Sequence, residues 1–94
     1  MQVNSVGVIG AGTMGNGIAQ VFAASGFKVI LHDIADEPLQ RGLSTIEQSL
    51  GRMVKKEKIS EADKAATLAN IQGATTLEAL ASVDLVVEAA SENL

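Results

Sequence analysis

A glycine-rich turn between a short apolar run and an amphipathic helix is the feature that most constrains how this chain can fold. The stretch from Val6 to Ile18 reads V-G-V-I-G-A-G-T-M-G-N-G-I, so Gly10, Gly12 and Gly15 have the spacing G-x-G-x-x-G. In such turns the first glycine permits the tight bend, the second lets a pyrophosphate approach the backbone, and the third lets the helix pack closely on the strand. Unpaired N–H groups at the helix start then face the phosphates. The pattern predicts a dinucleotide-binding loop.

A second apolar run ends in an acidic residue at the distance expected of a ribose ligand. Residues 27–31 read F-K-V-I-L, and Asp33 stands about 20 residues beyond the glycines. A carboxylate there accepts hydrogen bonds from the adenosine ribose and repels a 2′-phosphate, which predicts NAD rather than NADP. No arginine follows Asp33 directly, so nothing nearby is expected to favour the phosphorylated cofactor. The alternative interpretation is that Asp33 only caps the turn after a strand.

Hydrophobic periodicity divides the chain into alternating strands and helices. It predicts strands over residues 3–9, 27–32, 71–75 and 84–89, helices over 13–25, 36 to about 56 and 60 to about 70, and one helical turn over 77–80. Strand–helix–strand units imply right-handed crossovers and a parallel sheet, in the order 3-2-1-4. The predicted fold is therefore an α/β Rossmann-type sheet, partial with about four strands, and with a helical excursion between strands 2 and 3.

Local signals add detail to the two later helices. Asp36 is expected to be the N-cap of the second helix, whose continuity Gly42 and Gly51 put in question. Ser60 and Asp63 are expected to form a capping box at the start of the third helix. The inner face of that helix is expected at its small and apolar residues, Ala62, Ala65, Ala66 and Leu68.

Composition and charge exclude several classes of partner. The chain is 47% hydrophobic but 2% aromatic, which predicts a globular core of aliphatic side chains. A net charge of −4 and the lack of a basic stripe argue against nucleic acid. No cysteine is present, so disulfides and thiolate metal sites are excluded. The N-terminal residues resemble neither an export signal nor a membrane span, and we expect a cytoplasmic protein with no metal and no membrane partner.

Other reactive side chains have mainly structural interpretations. His32 is the one histidine, and although a histidine can serve as a base near neutral pH, its place beside Asp33 predicts a solvated or packing role. Glu88 and Glu92 are not expected to act as a pair, because Glu92 lies past the end of the last predicted strand. Two methionines, Met14 and Met53, are expected to be packing residues.

Three stretches of the chain closely resemble the 3-hydroxyacyl-CoA dehydrogenases, most of all the bacterial 3-hydroxybutyryl-CoA dehydrogenases. They read V-I-G-A-G-T-M-G-N-G-I-A-Q-V-F-A-A-S-G-F-K-V-I-L-H-D-I, K-K-E-K-I-S-E-A-D-K and D-L-V-V-E-A-A-S-E-N-L. The resemblance covers essentially the whole chain, and the long helical excursion is more diagnostic than the glycine loop. It implies that residues 1–94 are the N-terminal portion of the NAD-binding domain of an oxidoreductase. That enzyme would interconvert (S)-3-hydroxyacyl-CoA, here 3-hydroxybutyryl-CoA, and 3-oxoacyl-CoA by hydride transfer in fatty acid or butanoate metabolism.

The resemblance also implies a set of cofactor contacts. The residues implied to border the pyrophosphate are Gly10, Gly12, Met14 and Gly15. Asp33 is implied to hold the adenosine ribose, and the nicotinamide is implied to lie along Ala90, Ser91 and Glu92. The catalytic histidine and glutamate of the family, the rest of the sheet and the helical dimerisation domain are expected beyond Leu94. The parent is therefore expected to be a homodimeric enzyme on acyl-CoA, and the 94-residue chain alone is expected to be inactive.

Some alternatives stay open at this point. The basic cluster of Lys55, Lys56 and Lys58 is interpreted as a solvated helix end, where the dipole favours cations, with contact to coenzyme A phosphates as the alternative. The parent could also be a related sugar-acid dehydrogenase of the L-gulonate type, or a non-catalytic NAD-binding module. An open sheet edge at residues 83–88 predicts self-association of the chain.

Overall fold

The computed structural model describes residues 2–89, in which strands and helices alternate as the periodicity predicts. The strands are β1 (Ser5–Ile9), β2 (Lys28–His32), β3 (Ile71–Ala74) and β4 (Leu85–Glu88). The helices are α1 (Thr13–Ala24), α2 (Asp36–Lys55) and α3 (Glu61–Ala69), and a short 3-10 helix, η1, covers Leu77–Leu80. Each predicted element is present, with ends that coincide with the prediction or differ from it by at most two residues.

The strands form one parallel sheet in the order β3-β2-β1-β4, as predicted. β1 and β2 pair over their full lengths, from Ser5 opposite Lys28 to Ile9 opposite His32. The chain moves outward from β1 to β3 and then returns to the other side of β1. Because parallel crossovers are right-handed, this reversal puts α1, α2 and α3 on one face and η1 on the other.

The helix-covered face carries the core. Its central strand residues are each at most 1% exposed and pack under Leu39, Ile46 and Leu50 of α2; they are Val6, Val8, Val29 and Leu31. The opposite face is covered in part by Leu80 of η1, whose Cδ2 would lie 2.6 Å from a Cβ on Gly7. The core therefore fixes the position of the helices relative to the carboxyl ends of β1 and β2.

The start of α2 differs from the prediction. Asp36 is the first helical residue and Ala35 is the N-cap, with no side-chain cap. With Asp36 as the cap, one of its two possible backbone donors would be Pro38, which has no N–H. The other donor, Leu39, bonds to the carbonyl of Ala35 at 3.4 Å instead. The prediction for Asp36 was therefore wrong, and its carboxylate lies in the first turn, where the dipole favours it.

The start of α3 was predicted correctly, and its inner face was predicted correctly only at Leu68. Ser60 Oγ accepts from Asp63 N at 3.0 Å, and Asp63 Oδ2 accepts from Ser60 N at 3.1 Å, which completes the capping box. The inner face is formed by Thr67, 6% exposed, and Leu68, which packs against the core, whereas Ala62, Ala65 and Ala66 are exposed. Thr67 can be buried because its hydroxyl donates to the carbonyl of Asp63 at 2.9 Å.

An aspartate closes the amino end of the sheet. Asp84 Oδ2 accepts from Asn4 N at 2.8 Å and from Ser5 N at 3.1 Å, which ties the beginning of β4 to the beginning of β1. These hydrogen bonds, that of Asn4 first, lower the pKa of Asp84 from its ordinary value of 3.8, since they stabilise the carboxylate form. Sequence analysis does not predict this contact, because its partners are 79 and 80 residues apart in the chain.

No helix in the part of the chain between residues 2 and 89 is long and apolar enough to cross a membrane.

Candidate functional site

The glycine loop connects the end of β1 to the start of α1 in the geometry that its spacing predicts. Gly10 has a φ of 105°, in the left-handed region that favours glycine, and its N–H donates to the carbonyl of His32 at 2.8 Å. A Cβ on Gly15 would lie 1.7 Å from the carbonyl oxygen of Gly10. Only a glycine at position 15 therefore lets α1 begin directly against the turn.

Gly12 leaves the backbone of the loop open. It is the N-cap of α1, it is exposed, and a Cβ built on it meets no atom within 4 Å. The first turn of α1 has no acidic residue and no side-chain cap. Its N–H groups therefore lack intrahelical acceptors beside an open approach, which suits a phosphate.

The two methionines have different surroundings. Met14 is 65% exposed in the first turn of α1, so the expectation that it is a packing residue was wrong. It is exposed because α1 begins at Thr13 and turns its buried side, with Gly15 and Asn16, toward the sheet and α2. Met53 packs against the core as expected, and its sulfur accepts a weak hydrogen bond from Gln20 Nε2 at 3.7 Å.

Asp33 follows β2 and reaches across to the glycine loop. Its Oδ2 accepts from Ala11 N at 3.1 Å and its Oδ1 accepts from Ala35 N at 3.3 Å. Each carboxylate oxygen can accept a second hydrogen bond, so two acceptor positions are left for ribose hydroxyls. Asp33 is thus fixed in place and retains the capacity that the sequence interpretation assigns to it.

A groove of about 330 Å³ lies where the glycine loop, the end of β2 and the first turns of α2 meet. It is lined by residues from all of these elements: Ala11, Gly12, Thr13, Asn16, Asp33, Pro38, Arg41, Gly42 and Thr45. Arg41 is the member that the sequence interpretation missed, since it considered only the residues directly after Asp33. The available signal was its place two turns into the helix that follows the acidic residue.

A close contact of α2 brings Arg41 to this groove. A Cβ on Gly42 would lie 2.6 Å from Asn16 Oδ1 and 2.9 Å from the carbonyl oxygen of Ala11. Gly42, which put the continuity of α2 in question, is therefore what lets α2 lie against the glycine loop. The helix runs without a break over 20 residues.

His32 is buried rather than solvated. Its side chain is 2% exposed, and neither ring nitrogen has a hydrogen-bond partner within residues 2–89. This burial confirms a packing role, and the solvated alternative was wrong.

The remaining predicted site residues lie on the surface or outside the described part of the chain. Glu88 is exposed at the end of β4. Ala90, Ser91 and Glu92 lie outside the described residues, so their contact with the nicotinamide stays a prediction. The lysines of the basic cluster, Lys55, Lys56 and Lys58, are all exposed, as a solvated helix end requires.

A larger groove lies away from this site. It has a volume of about 500 Å³ and separates α1, the end of α2 and α3 near Gly26 and Asn70. Because Gly26 and Asn70 precede β2 and β3, this groove is at the amino end of the sheet, whereas ligands of such sheets bind at the carboxyl end. Within residues 2–89 no three histidine, aspartate or glutamate side chains are grouped so that they could hold a metal ion.

Comparison with known proteins identifies relatives over nearly the whole chain. A family model described as 3-hydroxyacyl-CoA dehydrogenase, NAD binding domain, matches residues 5–94. A 3-hydroxybutyryl-CoA dehydrogenase of Bradyrhizobium diazoefficiens is 47% identical over 90 residues, which are 96% of this chain and 31% of the relative. A probable 3-hydroxybutyryl-CoA dehydrogenase of Deinococcus radiodurans is 52% identical over 87 residues, 93% of this chain and 31% of the relative.

A solved structure agrees with these sequence relatives. The crystal structure of (S)-3-hydroxybutyryl-CoA dehydrogenase from Ralstonia eutropha matches with a TM-score of 0.94 and 50% identity, over 99% of this chain and 33% of that one. The chain thus spans about a third of the length of the relatives that it matches.

Proposed function

The chain belongs to the 3-hydroxyacyl-CoA dehydrogenase family, whose NAD-binding domain it matches, and from this premise we propose that it is the cofactor-binding part of an acyl-CoA oxidoreductase. The proposed reaction interconverts (S)-3-hydroxyacyl-CoA and 3-oxoacyl-CoA. Relatives named 3-hydroxybutyryl-CoA dehydrogenase support the four-carbon substrate. They favour it over a sugar acid and over a non-catalytic module.

The open glycine loop beside a fixed carboxylate is the observation that carries this proposal. Gly12 and the first turn of α1 would hold the pyrophosphate, and Asp33 would hold the adenosine ribose. The space beside Gly12, which a Cβ would fill, fits a group that must approach the backbone closely. When bound, NAD supplies the hydride acceptor, and this chain positions and orients it.

The other parts of the proposal rest on resemblance to the family. Ala90, Ser91 and Glu92 are proposed to border the nicotinamide. The catalytic histidine and glutamate are proposed to lie outside residues 1–94, in a cytoplasmic homodimer, so that the chain alone binds cofactor without turnover. We propose that residues 1–94 contribute the first part of the NAD-binding domain of that enzyme.

A calorimetric titration of the chain with NADH, NADPH and acetoacetyl-CoA tests the proposed site. We expect NADH to bind, NADPH to bind more weakly, and Asp33→Ala to weaken NADH binding about 10-fold or more, because it removes charge-assisted hydrogen bonds to the ribose. Asp84→Asn is the matched control, since Asp84 also accepts from two backbone N–H groups but at the other end of the sheet.

The proposal would be contradicted by either of two results. One is a chain that is folded by circular dichroism and binds no NADH. The other is an Asp33→Ala variant that binds NADH as tightly as the unsubstituted chain does.

A further inference from the structure

The cofactor groove holds one positive and one negative side chain. Arg41 and Asp33 both line it, and the other lining residues are uncharged. Arg41 is exposed, and Thr45 Oγ1 donates to its backbone carbonyl at 2.9 Å, a bond that does not involve the guanidinium. The guanidinium is thus not engaged by that contact, and its charge is available to a group in the groove.

The backbone position of Arg41 is fixed by the contact of its neighbour Gly42 with the glycine loop. Gly42, its neighbour, lies against Ala11 and Asn16 so closely that a Cβ there would be 2.6 Å from Asn16 Oδ1. Asn16 is 8% exposed, and its Oδ1 has no hydrogen-bond partner within residues 2–89. This contact keeps the backbone of Arg41 beside the loop that carries Gly12.

We propose that Arg41 is a latent phosphate-binding residue, which would hold a 2′-phosphate in this groove once the carboxylate of Asp33 no longer repels it. The inference rests on the proposed function, because it assumes that the adenosine ribose lies at Asp33. A 2′-phosphate on that ribose would meet the negative charge of Asp33 first. With that charge removed, the same phosphate would face Arg41, the one positively charged residue that lines the groove.

The chemistry of the two side chains supports this assignment. A guanidinium binds phosphate through parallel N–H donors, which a lysine cannot do. Specificity is a difference of affinities, and a single repulsive group can set it even where an attractive one is present. The sequence expectation considered only the residues directly after Asp33, whereas the fold brings Arg41 of α2 to the same groove.

A set of variants separates the two roles by direct binding. NADH and NADPH are titrated calorimetrically into the unsubstituted chain, Asp33→Asn, Asp33→Asn with Arg41→Met, and Asp33→Asn with Arg52→Met. Arg52 is an exposed arginine in the last turn of the same helix and does not line the groove, so it is the matched control. Circular dichroism checks that each variant is folded.

We expect Asp33→Asn to raise NADPH affinity relative to NADH by about 10-fold or more, the size of one charge-assisted contact. Adding Arg41→Met should remove most of this gain, and adding Arg52→Met should leave it in place. If the unsubstituted chain binds NADH, the inference would be overturned by an Asp33→Asn variant with no gain in relative NADPH affinity, or by a gain that survives Arg41→Met. Either result would leave the proposed function intact. A folded chain that binds neither cofactor would overturn the proposed function and this inference with it.

Discussion

Two aspartates at opposite ends of the sheet make nearly the same contacts with different consequences. Asp33, at the carboxyl end, accepts from Ala11 N and Ala35 N, and Asp84, at the amino end, accepts from Asn4 N and Ser5 N. Each ties neighbouring segments of backbone together. Asp33 opens into a groove with Gly12 and Arg41, whereas no groove described above includes Asp84.

The comparison shows that a carboxylate bound to backbone N–H groups does not by itself mark a binding site. Whether such a carboxylate can bind a ligand depends on its surroundings. At the carboxyl end these are an open glycine loop and a first turn of α1 without an acidic residue, and the Asp33 oxygens can each accept one more hydrogen bond. At the amino end the same type of contact joins the start of β4 to the start of β1, and we expect it to contribute to stability and not to cofactor binding. Substitutions at the two ends should therefore separate binding from stability.

The largest effect is expected from Gly15→Ala, which breaks the carboxyl end. The added Cβ would lie 1.7 Å from the carbonyl oxygen of Gly10, so backbone must move. We expect a loss of at least ~3 kcal/mol in the free energy of unfolding, measured by urea denaturation, and loss of NADH binding. Gly17→Ala is the control, since a Cβ on Gly17 in the same helix meets nothing within 4 Å. Equal stability of the two variants would show that the close approach at Gly15 is not required.

A smaller and more selective effect is expected from Gly12→Ala. A Cβ there meets no protein atom within 4 Å and the φ of −78° suits any residue, so the fold should be unchanged. The methyl group would occupy the approach of the pyrophosphate, and we expect NADH to bind about 10-fold more weakly. Thermal unfolding and calorimetric titration measure the two quantities. Unchanged NADH affinity in Gly12→Ala would mean that the cofactor does not approach the backbone there.

The smallest effect is expected from Asp84→Asn at the amino end, and it should depend on pH. Because hydrogen bonds from Asn4 and Ser5 lower the pKa of Asp84 below 3.8, the carboxylate stabilises the fold above that value. The difference in Tm between the unsubstituted chain and Asp84→Asn should be full above about pH 5 and shrink as the pH falls through the lowered pKa. NADH affinity at neutral pH should not change. A difference in Tm that stays constant down to pH 2.5 would contradict this account.

The sequence predicted the order and type of the elements because each depends on neighbouring residues. The spacing of apolar residues predicts β1, α1 and β2. The capping box at the start of α3 joins Ser60 and Asp63, which are three residues apart. The glycine loop was predictable for the same reason, since Gly10 and Gly15 act on one another within a single turn.

The features that were missed depend on contacts between distant residues. The burial of Thr67 depends on how α3 meets the rest of the molecule, and Arg41 reaches the groove through the contact of Gly42 with Ala11. The role of Asp84 depends on partners 80 and 79 residues away. The local sequence pattern does not predict contacts between residues so far apart. Arg41, the second charged residue of the groove, could therefore be identified only from the fold.

The separation of the contacts along the chain also sets the order in which their partners are synthesised. The bond between Ala11 and Asp33 spans 22 residues, and the bond between Asn4 and Asp84 spans 80. The longer loop costs ~1 kcal/mol more to close, since each doubling of length adds about 0.6 kcal/mol. During synthesis at about 5–20 residues per second, the residues between Asp33 and Asp84 take ~2.5–10 seconds to appear. All residues of the cofactor loop and Asp33 are therefore synthesised before β4, the strand that pairs with the other side of β1.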